Sequence, residues 1–121
     1  MVNIRKPVHS LRGLEKSMEY DVILSAQAQK QFREIIDYLL YKLRNQQAAI
    51  SVADDFDDTV VRLSHMAGSL KLCDDSILRT QGYRTIHFRK HKYLMVFTID
   101  GNRACVEGIY HDLQDYENIL H

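Results

Sequence analysis

The basic residues of this chain are concentrated in one segment that could bind a polyanion. Between positions 79 and 103 the sequence holds six lysines and arginines against a single acidic residue, Asp100. The six are Arg79, Arg84, Arg89, Lys90, Lys92 and Arg103. Such a cluster attracts phosphate-rich partners even though the net charge of the whole chain is zero. Acidic residues elsewhere in the chain could equally neutralise it across the folded surface, and from charge alone we prefer that interpretation.

Two residues have side chains suited to phosphate chemistry. Arg84 alternates with Ile86 and Phe88, so it shares a strand face with apolar residues, which is unusual for a solvated charge. An arginine grips two phosphate oxygens with its planar fork, or it braces a sheet by pairing with a carboxylate. His111 can give or take a proton near neutrality, and Glu107, predicted on the same strand face, could orient its ring. A surface histidine at a strand end is the structural alternative.

The composition is that of an ordinary globular domain. A length of 121 residues favours one domain, and 45% hydrophobic with 26% charged residues is a typical balance. The sequence has no run of 18 apolar residues and no apolar stretch near its start, so we expect a cytoplasmic protein without a membrane span or secretory signal. Cys73 and Cys105 lack metal-site spacing. We predict that both are reduced and that the protein uses neither metal nor cofactor.

The first half of the chain is predicted to form a strand and two helices. Residues 20–24 alternate as a strand does, and Ser25 follows as a helix N-cap. Apolar residues recur at helical spacing over 32–43 and again over 49–67, where Gly68 is expected to end the second helix in a left-handed conformation. The break between these helices is short, which predicts an antiparallel αα-hairpin.

The second half is predicted to be rich in strands. Segments 83–89, 93–99 and 104–110 have strand patterns, and Asp100-Gly101 is typical of a tight hairpin turn. A short helix over 113–120 closes the chain. The order β-α-α-β-β-β-α predicts an α+β fold, a small antiparallel-rich sheet with the αα-hairpin packed on one face. The other face is covered by the terminal segments or is free to bind.

Two segments with different organisation are therefore expected. Residues 19–121 form the folded domain. Residues 1–18 contain the single proline and show no clean period, so they are predicted to be a flexible extension or a short arm that lies on the domain.

Three passages resemble those of a known family. They are residues 22–25 with Ala28, Phe32, Ile35 and Tyr38, then Leu78-Arg79-Thr80-Gln81-Gly82-Tyr83-Arg84, and finally Ile109-Tyr110-His111-Asp112-Leu113-Gln114-Asp115-Tyr116. In order and spacing they are similar to the opening strand and helix, the LRxxGYR strand entry and the H-x-x-x-D/E-Y tail of the RelE/ParE superfamily. That superfamily comprises toxins of type II toxin–antitoxin systems, also called plasmid stabilization proteins. The resemblance covers about residues 19–120.

The resemblance implies candidate roles for particular residues. Some members cut messenger RNA in the ribosomal A site, and others poison DNA gyrase, so the fold alone does not decide the activity. In the ribonuclease branch, Arg84 would contact the scissile phosphate, His111 would be the acid or base, and Tyr116 would stack on a base or place a phosphate. Tyr116 could instead pack its helix on the sheet. The expected RNA- and phosphate-binding residues are Arg79, His87, Arg89, Lys90 and Lys92.

We therefore expect first a ribosome-dependent mRNA endoribonuclease that inhibits translation. The alternatives are a non-enzymatic inhibitor of DNA gyrase and a degenerate member without toxicity. Two features depart from the ribonuclease pattern. The lysine cluster that some ribonuclease members carry is replaced by the acidic stretch Asp74-Asp75-Ser76-Ile77, and without residues 1–17 the remaining chain is more acidic than basic.

A cognate antitoxin is the partner that the resemblance implies. We expect it to wrap a groove and a free sheet edge and to fold as it binds. The basic residues of 84–92 would attract an acidic stretch of that partner.

Overall fold

A five-stranded sheet lies at the centre of the molecule. The computed structural model describes residues 2–4 and 19–120. The strands are β1 (Val2–Ile4), β2 (Asp21–Leu24), β3 (Arg84–His87), β4 (Tyr93–Asp100) and β5 (Arg103–His111), arranged in the order β1-β2-β5-β4-β3. Strands β2 and β5 pair in parallel, and the other neighbours pair antiparallel. The predicted α+β class with an antiparallel-rich sheet is confirmed.

Strand β1 was not part of the predicted element order. Val2–Ile4 pairs antiparallel with β2 and forms an edge strand of the sheet. Met1 and residues 5–18 lie outside the described residues, and the predicted flexible extension is not tested there.

Four helices flank the sheet in the described part of the chain. They are α1 (Ala26–Asp37), α2 (Gln46–Met66), α3 (Ser76–Thr80) and α4 (Tyr116–Leu120). Helix α1 runs on into a π-helical turn, Tyr38–Lys42, and α2 ends in a single 3-10 turn, Ala67–Ser69. Helices α1 and α2 form the predicted αα-hairpin. Helix α3 is absent from the predicted element order; the Asp75 side chain caps it, accepting from the Leu78 backbone N–H at 3.1 Å.

Ser25 has the capping role that the sequence predicts. Its hydroxyl oxygen accepts from the Ala28 N–H at 3.0 Å and donates to the Glu107 carbonyl at 2.9 Å. One side chain therefore begins α1 and ties it to β5.

Gly68 does not act as the predicted left-handed stop. Its φ is not positive, and a Cβ at this position would meet the hydroxyl of Tyr20. The glycine is required for that close approach, which depends on a residue 48 positions away and is invisible to local turn rules.

The core is divided between the two faces of the sheet. The hairpin face packs against α1 and α2, with Phe97, Met95, Val106 and Leu63 fully buried. The opposite face, which we call the α4 face, buries Leu94, Val96 and Tyr110 beneath Tyr83, Tyr116 and Leu120. The C-terminal segment thus covers this second face, one of the two predicted possibilities.

A β-bulge changes which face the end of β5 presents. Val106 is opposite Phe97 and Gly108 is opposite Val96, so Glu107 is the extra residue. Its carboxylate lies 3.5 Å from the Thr98 hydroxyl, on the α4 face. The prediction that Glu107 shares a face with His111 is therefore wrong, because the extra residue interrupts the alternation of side chains between the two faces of the sheet.

Candidate functional site

Arg84 lies on the hairpin face at the start of the edge strand. Its Nη1 donates to the Leu70 carbonyl, and an isolated bridge joins Leu72 to Arg84 itself. Both contacts hold the segment that follows α2 against the sheet edge. Among residues 2–4 and 19–120, the partner recorded for the guanidinium is a backbone carbonyl and not a carboxylate.

His111 lies on the hairpin face at the end of β5. The Tyr93 ring meets it edge-on, with centroids 5.4 Å apart. Its Nδ1 accepts from the Leu113 backbone N–H at 3.1 Å, which leaves Nε2 to carry the proton in the neutral ring. The Asp112 carboxylate is 3.4 Å from the same nitrogen and would pair with it on protonation.

A groove of about 370 Å³ opens beside His111, between α1 and the end of β5. Its lining comprises Gln27, Gln31, Glu34, Ile35, Tyr38, Tyr93, Ile109, His111 and Gln114. Two side-chain amides accept hydrogen bonds from the end of β5, beyond the residues that pair with β2. Gln31 accepts from the Ile109 N–H at 2.8 Å, and Gln114 accepts from the His111 N–H at 2.9 Å.

Tyr116 lies on the α4 face, away from Arg84 and His111. Its ring stacks on Tyr110 with centroids 6.1 Å apart and planes at 28°. Burial, reinforced by the acidic side chains nearby, raises the pKa of the Tyr116 hydroxyl above its ordinary value. This placement is that of a packing residue whose phenol stays protonated at neutral pH.

The structure does not bring Arg84, His111 and Tyr116 together. Arg84 is opposite Phe97 and His111 is opposite Tyr93, which puts them four residues apart along β4 and two strands apart across the sheet. Standard strand dimensions make these offsets roughly 13 Å and 10 Å. Tyr116 is separated from both by the sheet itself.

The predicted phosphate-binding residues are exposed, and acidic neighbours accompany two of them. Arg79 lies 3.7 Å from the Asp74 carboxylate, and Arg89 lies 3.4 Å from the Asp58 carboxylate. The others, His87, Lys90 and Lys92, are exposed on β3 and the turn that follows it. Acidic neighbours therefore neutralise Arg79 and Arg89, which is the interpretation that we preferred from charge alone.

A cluster that sequence reasoning missed lies where that basic turn meets α2. The buried carboxylate of Asp55 accepts from the backbone N–H of Arg89 at 3.1 Å, from that of Lys90 at 2.8 Å and from His91 Nδ1 at 2.8 Å. The other ring nitrogen of His91, Nε2, is 3.3 Å from the Ser51 hydroxyl. We call Ser51, Asp55 and His91 the turn cluster.

The electrostatics of Asp55 follow from this geometry. Burial alone would raise the pKa of its carboxyl, but the hydrogen bonds from His91, Lys90 and Arg89 outweigh burial and hold the pKa below its ordinary value. Helical spacing could have predicted that Asp55 is buried. It follows Val52 by three positions and precedes Thr59 by four, which puts it on the buried side of α2.

The two cysteines are free thiols, Cys73 buried and Cys105 half-buried. Burial raises the pKa of both. Within residues 2–4 and 19–120, no group of three or more His, Cys, Asp and Glu side chains could hold a metal ion. In the same part of the chain, the helices are too short or too polar to cross a membrane.

Comparisons with known proteins identify the family. The model of the ParE toxin of the type II toxin–antitoxin system parDE matches residues 22–116. A solved structure described as the chromosomal ParDE TA system from P. aeruginosa has a TM-score of 0.63 and 17% identity, and the match covers 78% of this chain and 96% of that chain. Among curated proteins, none matches significantly. Since the family model spans well over half of its length, this chain belongs to the ParE toxin family of type II toxin–antitoxin systems.

Proposed function

We propose that this toxin acts by binding and inhibiting DNA gyrase, without chemistry of its own. The observation that carries the proposal is the separation of Arg84, His111 and Tyr116. Metal-free cleavage of RNA needs a base, an acid and a phosphate clamp within hydrogen-bond reach of one phosphodiester. Residues that are four positions and two strands apart, or on opposite faces of a sheet, do not meet that requirement.

The local environment of Arg84 supports the same proposal. One N–H of its guanidinium already donates to the Leu70 carbonyl, which directs the side chain toward the segment between α2 and α3. The acidic pair Asp74 and Asp75 lies in that segment and would repel an approaching phosphate backbone.

One observation favours the endoribonuclease alternative. His111 lines a groove, and its Nε2 is not used by the hydrogen bond that Nδ1 accepts from Leu113. A single acid or base in a groove would still need a cation at the phosphate, and the exposed Lys92 lies beside this end of the sheet, where its carbonyl accepts from the Asp112 N–H at 2.9 Å.

Parallel assays on one preparation of toxin distinguish the two activities. We expect inhibition of gyrase supercoiling, with trapped DNA cleavage complexes, and intact messenger in a reconstituted translation system. His111→Ala should leave the inhibition of gyrase unchanged. New breaks in the messenger that disappear in His111→Ala, with normal supercoiling, would refute the proposal. Absence of any growth arrest on induction would refute both activities and favour a degenerate member.

The partner that family membership implies is a cognate antitoxin. We propose that an amphipathic segment of it docks in the groove between α1 and the end of β5. Four side chains give this groove an apolar floor and wall, namely Ile35, Tyr38, Tyr93 and Ile109. The basic turn is adjacent, since Lys92 is bonded to Asp112, so an acidic continuation of the segment would meet Lys90 and Lys92.

Two tyrosines of the same π-helical turn provide a matched test of this docking site. Tyr38 lines the groove and is 53% exposed, whereas Tyr41 is 73% exposed and lies outside it. Tyr38→Ala should weaken antitoxin binding by about 10-fold or more, as loss of an aromatic anchor does. Tyr41→Ala should bind normally. Equal effects of the two substitutions in a calorimetric titration would place the antitoxin elsewhere.

A further inference from the structure

We propose that the turn cluster is a second site, independent of toxin action, in which the hydroxyl of Ser51 is a nucleophile toward activated acyl and phosphonyl esters. The arrangement joins a hydroxyl, an imidazole and a buried carboxylate in one chain of hydrogen bonds. Ser51 Oγ is 3.3 Å from His91 Nε2, and His91 Nδ1 is 2.8 Å from Asp55 Oδ2. These are the contacts that an activated serine requires.

The hydrogen bonds determine the direction of proton transfer. The carboxylate of Asp55 can only accept while it is ionised, and its lowered pKa keeps it ionised at neutral pH. The proton of the neutral ring therefore lies on Nδ1, and the lone pair of Nε2 faces the hydroxyl of Ser51. His91 is thereby held in the tautomer that a general base needs.

The cluster is rigid because the protein fixes both of its ends. Ser51 and Asp55 are four residues apart on α2, so they project from one side of the helix toward the turn. The Asp55 side chain is only 1% exposed, and the backbone N–H groups of Arg89 and Lys90 hold its two oxygens. The imidazole side chain of His91 is 26% exposed and Ser51 is half-buried, so neither is sealed from solvent.

A cavity of about 250 Å³ adjoins the hydroxyl. Its walls are formed by Ser51, Asp54, Asp55, Asp58, Arg89 and Lys90. The Arg89 guanidinium is occupied by Asp58, whereas the ammonium of Lys90 has no ion pair among the described residues and is the cation that can meet an oxyanion. The nearby backbone N–H groups donate to Asp55 and do not supply an oxyanion hole, which restricts the site to activated esters.

The reaction balances without any further reagent. With an aryl ester, His91 takes the proton of Ser51 as the Oγ–carbonyl bond forms, and it returns that proton to the aryloxide as the ester bond breaks. Water then repeats the sequence on the acyl-serine and releases a carboxylic acid. With a fluorophosphonate, the Oγ–phosphorus bond forms, fluoride leaves, and the proton passes from His91 to solvent.

The test is covalent labelling of the full chain by a fluorophosphonate, followed by intact mass and peptide mapping. We expect one adduct, on Ser51, and none in Ser51→Ala. His91→Gln should slow labelling by about 100-fold or more, the usual contribution of a general base. Ser69→Ala is the matched control, because the Ser69 hydroxyl is exposed and donates only to the Met66 carbonyl. It should label like the unsubstituted chain.

Asp55 is a positioning residue, and its role has a separate readout. The charged groups that line the adjoining cavity are Asp54, Asp55 and Asp58 of α2 with Arg89 and Lys90 of the turn. In folded Asp55→Asn, labelling of Ser51 should slow, because His91 loses the partner that fixes its tautomer, and Asp55→Glu, which keeps a carboxylate, should restore part of the rate. An unlabelled Ser51 in the folded chain, labelling spread over several serines, or a rate unchanged in His91→Gln would each overturn the proposal.

Discussion

Replacement of Asp55 by asparagine tests how the basic turn is held on the domain. The carboxylate accepts three hydrogen bonds, two from backbone N–H groups and one from His91, and its side chain is 1% exposed. An asparagine keeps the shape but presents an N–H₂ group to one of these donors. Hydrogen bonds to a buried charge are worth about 1.5–3 kcal/mol, and a buried donor left without a partner costs about 1–3 kcal/mol. We expect a loss of about 3 kcal/mol in the free energy of unfolding.

The same substitution has a predicted pH dependence. The folded protein holds the pKa of Asp55 below its ordinary value of 3.8. The carboxylate therefore contributes stability that is fully present above pH 3.8 and is lost as the pH falls through the lower folded pKa. The advantage of the unsubstituted chain over Asp55→Asn should be largest near neutrality and should shrink below about pH 4.

Urea denaturation followed by far-UV circular dichroism, at pH 7 and at pH 3, measures both quantities. Asp54→Asn is the matched control, because Asp54 is the preceding residue of α2 and is exposed. Its effect should lie within about 0.5 kcal/mol of zero. If Asp55→Asn were as mild as Asp54→Asn at pH 7, the turn would not depend on this carboxylate.

Three further predictions follow from packing. Gly108→Ala should destabilise the domain by about 1–3 kcal/mol in thermal unfolding, because the new Cβ would lie 2.6–2.8 Å from the Tyr110 ring. Arg84→Ala should lower the free energy of unfolding by about 1.5–3 kcal/mol through loss of its bond to Leu70, and toxicity should fall only as far as the folded fraction does. Cys73 should react with iodoacetamide at pH 7 far more slowly in the folded chain than in urea, since burial raises the pKa of its thiol.

Each of these three predictions has a distinct contradicting result. For Gly108→Ala, the cost should largely disappear when Tyr110 is also replaced by leucine; additive losses would mean that the ring is not responsible. A fully folded Arg84→Ala chain that has lost toxicity would assign the guanidinium a direct role at the target. Equal alkylation of Cys73 with and without urea would contradict its burial.

The sequence predicts the elements of this fold well because their patterns are local. The capping hydroxyl of Ser25, the stripes of the αα-hairpin and the Asp100-Gly101 turn each depend on neighbours within a few residues. The bulge at Glu107 could not be predicted, because one extra residue in β5 becomes visible only against its partner β4. The role of Gly68 likewise depends on Tyr20, which is adjacent in space but 48 positions earlier in the chain.

The candidate site was less predictable for the same physical reason. Alternation correctly put Arg84 on one face with Ile86, but its separation from His111 depends on strand order and register, which the sequence does not encode locally. The turn cluster joins residues 40 and 36 positions apart in the chain. Two of its members, Asp55 and His91, are residue types that usually lie on the surface, so neither indicates the cluster by itself.

The position of β5 has a consequence for how a ribosome can make this toxin. The last strand to be synthesised lies in the middle of the sheet, between β2 and β4, and the contact from Ser25 to Glu107 spans 82 residues. At about 5–20 residues per second, Ser25 waits roughly 4–16 s after synthesis for Glu107, and α2, which ends at Met66, waits about half as long. Until then Val22 and Leu24 have no partner strand on that side. A chain whose translation stops before β5 lacks the strand that joins β2 to β4, so we expect such a fragment not to reach the folded state.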